Sequence, residues 1–158
     1  MSERSFTETS FRSYLAEGRL MGTRCGMCDA WQATPRPLCP ACFSDDMRWE
    51  ALSGRGELAA FTVVHIAPTA MIEAGYGRDK PYVTGIVRLA EGPAISGQIV
   101  GVDPAAAGQA EVGMSLQAAF ITRGEGDQAR AFLAFEPEPA GHAAGSCWRW
   151  MRRWRPSR

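Results

Sequence analysis

Four of the five cysteines in this 158-residue chain fall in two Cys-x-x-Cys pairs. They are Cys25-Gly26-Met27-Cys28 and Cys39-Pro40-Ala41-Cys42, with ten residues between them. A pair of this spacing on a tight turn presents two thiolates, and four thiolates satisfy one tetrahedral cation, most often zinc. Four sulfur ligands leave no open coordination position, so such an ion holds structure together and does not activate water. Disulfides, or free thiols in a degenerate metal-free ribbon, are the competing uses. The start of the chain, Met1-Ser2-Glu3-Arg4-Ser5-Phe6-Thr7-Glu8, carries acids where a secretory signal needs a basic residue and an apolar run. That points to a reducing cytoplasm, where disulfides are disfavoured. One local demand stands out. The residue after the second cysteine of each knuckle commonly takes a positive φ, which suits glycine, and here it is Asp29 or Phe43. Aspartate tolerates that conformation; phenylalanine adopts it at a cost.

Other reactive groups are sparse. There is no Gly-x-Ser-x-Gly elbow, phosphate-binding loop or dinucleotide fingerprint. Of the two histidines, His65 lies late in a β-rich run, where a core or rim role is expected, and His142 lies in an Ala/Gly-rich linker. An independent enzyme is not indicated.

The elements that must position the cysteines follow from patterning. Hydrophobic content of 46% supports a packed core, and no apolar run approaches the ~20 residues needed to cross a bilayer. From Thr7 to Glu17, Phe11, Tyr14 and Leu15 share one face of a short helix that Gly18 stops. So short a helix needs something to dock on, and packing within the chain is favoured over a partner subunit. Pro35 and Pro37 rule out a helix between the knuckles. Two short hairpins clasping an ion make a zinc ribbon, with Trp31 and Trp49 expected over the metal.

After Ser53-Gly54-Arg55-Gly56 the texture changes to strands: Glu57 to Ile66, Tyr82 to Leu89, Ala94 to Val100, Met114 to Ile121 and Ala131 to Phe135. In the fourth, Leu116, Ala118 and Phe120 are expected inward. Five strands without a long helix between them favour a small barrel over an open sheet, since closure removes exposed edges. The expected fold class is mainly β. Residues 1–19 carry the docking helix, 20–52 the ribbon, 53–137 the barrel, and 138–158 a linker and tail.

The connection from Ala67 to Pro81 is long for a hairpin. Within it Arg78 and Lys80 could meet phosphate, and Tyr76, between two glycines, could swing onto a flat ligand. A solvated loop is the plainer reading of two cations near one aspartate.

Taken together, these motifs carry a resemblance. The helix with Phe11, the Glu17-Gly18-Arg19-Leu20 step, the two knuckles with Pro35-Arg36 between them, Gly54-x-Gly56, Phe61-Thr62-Val63-Val64, Pro81-Tyr82, Glu91-Gly92-Pro93, Gly113-Met114 and Phe135-Glu136-Pro137 come in a distinctive order. That order resembles a zinc-ribbon and OB-fold family of bacteria and archaea, long classed as a domain of unknown function and often encoded beside thiolases. The resemblance implies a rubredoxin-like ribbon followed by an OB-fold barrel. It implies an accessory or scaffold subunit without catalysis of its own, partnered with a thiolase-like enzyme, an aldolase or a hydratase handling acyl-CoA. It also implies that the barrel and leading helix bind or present the CoA thioester. Metal ligands carry over to Cys25, Cys28, Cys39 and Cys42; candidate ligand or partner contacts are Phe11, Tyr14, Tyr76, Arg78, Lys80 and Tyr82.

The rival class is single-stranded nucleic-acid binding, which OB barrels perform with exposed aromatics in a basic groove. Residues 1 to 146 hold 12 Lys+Arg against 17 Asp+Glu, which weighs against it. The barrel aromatics Phe61, Tyr82, Phe120, Phe132 and Phe135 include several expected inward. The tail from Cys147 to Arg158 interleaves five arginines with three tryptophans, a composition suited to RNA, anionic lipid or an acidic partner. A disordered terminus is the plainer reading of it.

Overall fold

The computed structural model describes residues 4–104, 110–124, 126 and 129–138. Cys147, His142 and the Arg/Trp tail lie outside the described residues. Helix α1 (Glu8–Ala16) is capped by Thr7, whose side chain accepts from the Ser10 N–H, and ends at Gly18 with φ 70°. Its apolar face turns inward: Leu15 is buried, and Phe11 is half-buried against the main core. The helix therefore docks on its own chain.

Strands β1 (Met21–Cys25), β2 (Trp31–Gln32) and β3 (Met47–Ala51) form a three-stranded antiparallel sheet in the order β2-β1-β3. Five further strands, β4 (Arg55–Val64), β5 (Tyr82–Leu89), β6 (Ala94–Ile99), β7 (Ser115–Arg123) and β8 (Arg130–Pro137), close into a barrel in the order β4-β5-β6-β8-β7. A parallel pairing of β6 with β8, Gln98 to Ala134 and Ile99 to Phe135, joins the last strand to the middle of the sheet. This mainly β architecture, with a leading helix, a cysteine ribbon and a five-stranded closed barrel, is an OB-fold arrangement.

Strict alternation in β5 puts Val83, Val87 and Leu89 inside with Leu58, Ile99, Leu116 and Phe135. The same apolar cluster runs on through Leu52, Ala33 and Leu20 to Leu15, so ribbon, helix and barrel share one core. Gly97 lies against that core because a Cβ there would stand 2.9 Å from the Phe135 ring.

Two expectations fail here. Phe120 faces outward, 36% exposed. β4 pairs with β7 only at residues 115–117, so beyond Ala118 the twisting β7–β8 hairpin leaves the barrel, and Phe120 lies beside residues 18–20 and 52–54. The connection from β4 to β5 is also not bare loop, because helix α2 (Thr69–Glu73) occupies part of it. His65 sits just past the end of β4, exposed on the rim.

Candidate metal centre and barrel groove

Both knuckles are built alike. In the first, the Cys25 N–H donates to the Ala30 carbonyl at 3.0 Å and the Asp29 N–H donates to the Cys25 carbonyl at 3.1 Å. In the second, the Cys39 N–H donates to Ser44 at 2.9 Å and the Phe43 N–H to Cys39 at 2.9 Å. Closing these turns forces the residue after each pair into the left-handed region, and Asp29 (φ 58°) and Phe43 (φ 61°) are there. Asp29 is further tied to Arg24 at 3.1 Å. Phe43 gains no packing in return, being 80% exposed. Phe43→Gly is expected to raise thermal stability by up to about 1 kcal/mol, left-handed strain relieved less the added freedom of glycine. A melting curve unchanged or lower in the variant would contradict that account.

The four Sγ atoms lie within 4.8 Å of one another, with Cys25–Cys42 and Cys28–Cys39 both at 3.5 Å. Ligands at the vertices of a tetrahedron with ~2.3 Å metal–sulfur bonds stand about 3.8 Å apart, so the spacing fits a single ion. Cys25 and Cys39 are buried, and Cys28 and Cys42 are exposed. In the metal-free thiol cluster, the Cys42 N–H is the main influence drawing Cys39 down to about 6, with burial opposing it. For Cys28 the Ala30 N–H acts downward, but the neighbouring sulfurs of Cys42, Cys39 and Cys25, together with burial, push the thiol up to about 12. Cys39 ionises readily while Cys28 and Cys42 resist joining it, so the thiolates together need a cation.

The cover over the cysteines differs from expectation. Met47, Phe6 and Ala30 pack against Cys25 and Cys39. Trp31 instead joins the main core with the Arg24 guanidinium 5.4 Å from its ring. Trp49 stands between Phe6 at 5.5 Å and Tyr14 at 5.1 Å, and its indole N–H donates to the Arg4 carbonyl at 2.7 Å. The Arg4 guanidinium lies 4.4 Å from the centre of the Tyr14 ring. Phe11 and Tyr14 are thus engaged within the chain. At Gly26, another position the sequence did not single out, an added Cβ would stand 2.1 Å from Asp46 Oδ2, so a larger residue there would displace that carboxylate.

A second constellation lies on the outer face of β5 and β6. Tyr76 and Tyr82 meet edge to face at 5.4 Å, and the Lys80 ammonium stands 5.3 Å from the Tyr76 ring centre. Gln98 on β6 donates to the Tyr76 hydroxyl at 3.0 Å and accepts a short hydrogen bond from Arg123 on β7. Arg123 also covers the Phe132 ring at 4.9 Å. Three of the candidates from the 67–81 connection and the start of β5 are brought together; Arg78 is exposed and outside the group. Gln98 and Arg123 carry no local sequence signal, since strand pairing alone places them there.

Residues 12–48 match the family model described as ChsH2, rubredoxin-like zinc ribbon domain, and residues 49–120 the one described as ChsH2, C-terminal OB-fold domain. A DUF35 domain-containing scaffold protein of Methanocaldococcus jannaschii is 34% identical over 102 residues, covering 64% of this chain and 67% of that one. The chain belongs to the DUF35 family. A DUF35 domain-containing scaffold protein of Pyrococcus furiosus is 32% identical over 95 residues, covering 60% of this chain and 65% of the relative. This DUF35 chain thus spans about two thirds of the length of both relatives. Among solved structures, Ltp2-ChsH2(DUF35) aldolase superposes with TM-score 0.67 at 25% identity, covering 87% of this chain and 98% of that one. A DUF35 protein of unknown function from Sulfolobus solfataricus shares the fold, with TM-score 0.54, 13% identity, and coverage of 82% and 84%.

Proposed function

We propose that this DUF35 chain is an accessory subunit, without catalysis of its own, that scaffolds an acyl-CoA-processing enzyme, an aldolase first and a thiolase or hydratase next. Zinc held by Cys25, Cys28, Cys39 and Cys42 is its structural cofactor. The observation that carries this reading is the likeness to a chain of Ltp2-ChsH2(DUF35) aldolase, which extends over 98% of that chain. The printed names of the archaeal relatives, scaffold proteins, support it. So does the donor set, because four thiolates saturate zinc and leave no site for a substrate oxygen. In this reading the chain works in the cytoplasm, and the barrel contacts the thioester or the enzyme that holds it. Among the described residues no helix is long and apolar enough to cross a membrane.

The test is copurification. A tagged chain is expected to bring down an aldolase, thiolase or hydratase identifiable by mass spectrometry, and repeated recovery of the chain alone would count heavily against the proposal. The purified chain, shown free of such an enzyme, is expected not to turn over acyl-CoA thioesters.

One observation favours the rival reading: Phe61, Phe120 and Phe132 are exposed on the barrel, and only Phe135 is fully buried. Nucleic-acid binding predicts salt-sensitive association with single strands that disappears when residues 147–158 are removed.

A further inference from the structure

Strand β4 is ten residues long, yet it has neighbours on both sides only at its start. β7 pairs with it at residues 55–57, and two backbone bonds from Leu58 to Gly113 and Met114 end that contact. From Ala60 to Val64 it pairs with β5 alone. Among the described residues nothing is hydrogen-bonded to the other edge of this stretch.

Such an edge is a template for another strand, and proteins ordinarily blunt it with charges, a proline or a bulge. Between Glu57 and Glu73 there is no Asp, Glu, Lys or Arg, and the first proline is Pro68. The bulge in β4 falls between Leu58 and Ala60, ahead of the free stretch, so the pairing with β5 is regular from Ala60 onward. Ala59, Ala60, Phe61 and Thr62 are exposed, as are Ile86 on the adjoining strand and Ile66 just past the end of β4.

The strand that fits this edge needs a free edge of its own, β-branched or aromatic side chains, and no charge. A second copy of β4 has all three. Two identical strands paired antiparallel about a two-fold axis at Thr62 set Thr62 opposite itself, Phe61 opposite Val63 of the other copy, and Ala60 opposite Val64 of the other copy. Threonine with threonine and aromatic with β-branched are favoured cross-strand pairs, and no like charges meet. Ala60 already pairs with Ile86, so Val64 of the other copy would extend that row beside a depression of about 330 Å³ whose lining, with Thr62, Thr84 and Ile86 in it, carries no charged side chain. Each chain offers this edge once, and an isologous contact closes at two copies.

We infer that two copies of this chain associate edge to edge through residues 59–64 of β4, making one sheet continuous across two barrels. The pairing needs no partner enzyme and goes beyond the scaffold role, which it would double.

Sedimentation of the full zinc-loaded chain over a concentration series tests it, with a reductant present so that Cys147 cannot cross-link copies. A short edge contact is weak, so a reversible dimer is expected at about 1–100 μM. Backbone amides within residues 59–64 should exchange with deuterium about 10-fold more slowly as it forms. Thr62→Lys sets two ammonium groups against each other at an exposed position and is expected to weaken the dimer by about 10- to 100-fold. Its melting curve at low concentration should match the wild type. Leu38→Lys, at an exposed apolar position on the ribbon, should leave the dimer unchanged. A chain monomeric throughout the series, a dimer that survives Thr62→Lys, a dimer without added protection at 59–64, or assemblies growing past two copies would each overturn the inference. A monomer that still captures a partner enzyme would leave the scaffold standing and the edge pairing refuted.

Discussion

Elemental analysis of the purified chain is expected to give one zinc ion per molecule, and stripping that ion is expected to unfold the ribbon. The apolar cluster around the cysteines amounts to Cys25, Cys39 and Met47, with Phe6 and Ala30 against them. Burial on that scale is small beside the ~10–16 kcal/mol with which structural zinc binds small cysteine and histidine modules. Cys39→Ser removes a buried ligand and should abolish stoichiometric metal, with a fall in stability of several kcal/mol. Trp49 fluorescence is a suitable reporter, because its ring is packed between Phe6 and Tyr14 only while ribbon and helix are in place. Acid should act in the same direction. The sulfurs bind metal as thiolates, so protons compete with the ion. Metal loading and ribbon stability should therefore fall together as pH falls. A chain with all four ligands changed to serine that stays folded and soluble, alongside a wild type free of metal, would end the structural-zinc reading.

Phe135→Ala is expected to be the most damaging single change in the barrel. Phe135 is the largest fully buried side chain, and it sits where β8 pairs in parallel with β6 and antiparallel with β7. Truncating a buried phenylalanine costs about 3–5 kcal/mol, a large share of the 5–15 kcal/mol that holds a typical domain together. Urea unfolding should show the midpoint collapse. The partly exposed Phe120 is the internal control, and its alanine variant should lose about 1 kcal/mol or less. Equal losses at the two positions would mean that the barrel core is elsewhere.

What the sequence made legible was whatever a short-range pattern dictates. The knuckles are set by spacing, α1 by one apolar stripe and a threonine cap, and β5 by an alternation strict enough to fix both of its ends. Asp29 and Phe43 follow from turn chemistry in the same way. What escaped depends on residues distant in the chain. Phe6 precedes the helix and has no periodic partner, yet it closes over the cysteines. Phe120 keeps the inward phase of Leu116, but the sheet twists away beneath it. Trp31 and Trp49 lie on the two strands that flank β1 yet are drawn to different neighbours, one to the main core and the other to α1. Gln98 and Arg123 are ordinary strand residues whose meeting depends on barrel closure. Family membership was legible through the order of motifs and not through any single reactive group.

The packing of α1 on β8 places the first element of the described residues against their last. During synthesis the leading segment emerges more than a hundred residues before its seat exists, and the ribbon can capture its ion long before the barrel closes. Maturation on the ribosome should thus run in two stages, an early metal-dependent one and a late one waiting on residues 130–137, with the helix exposed to chaperones in the interval.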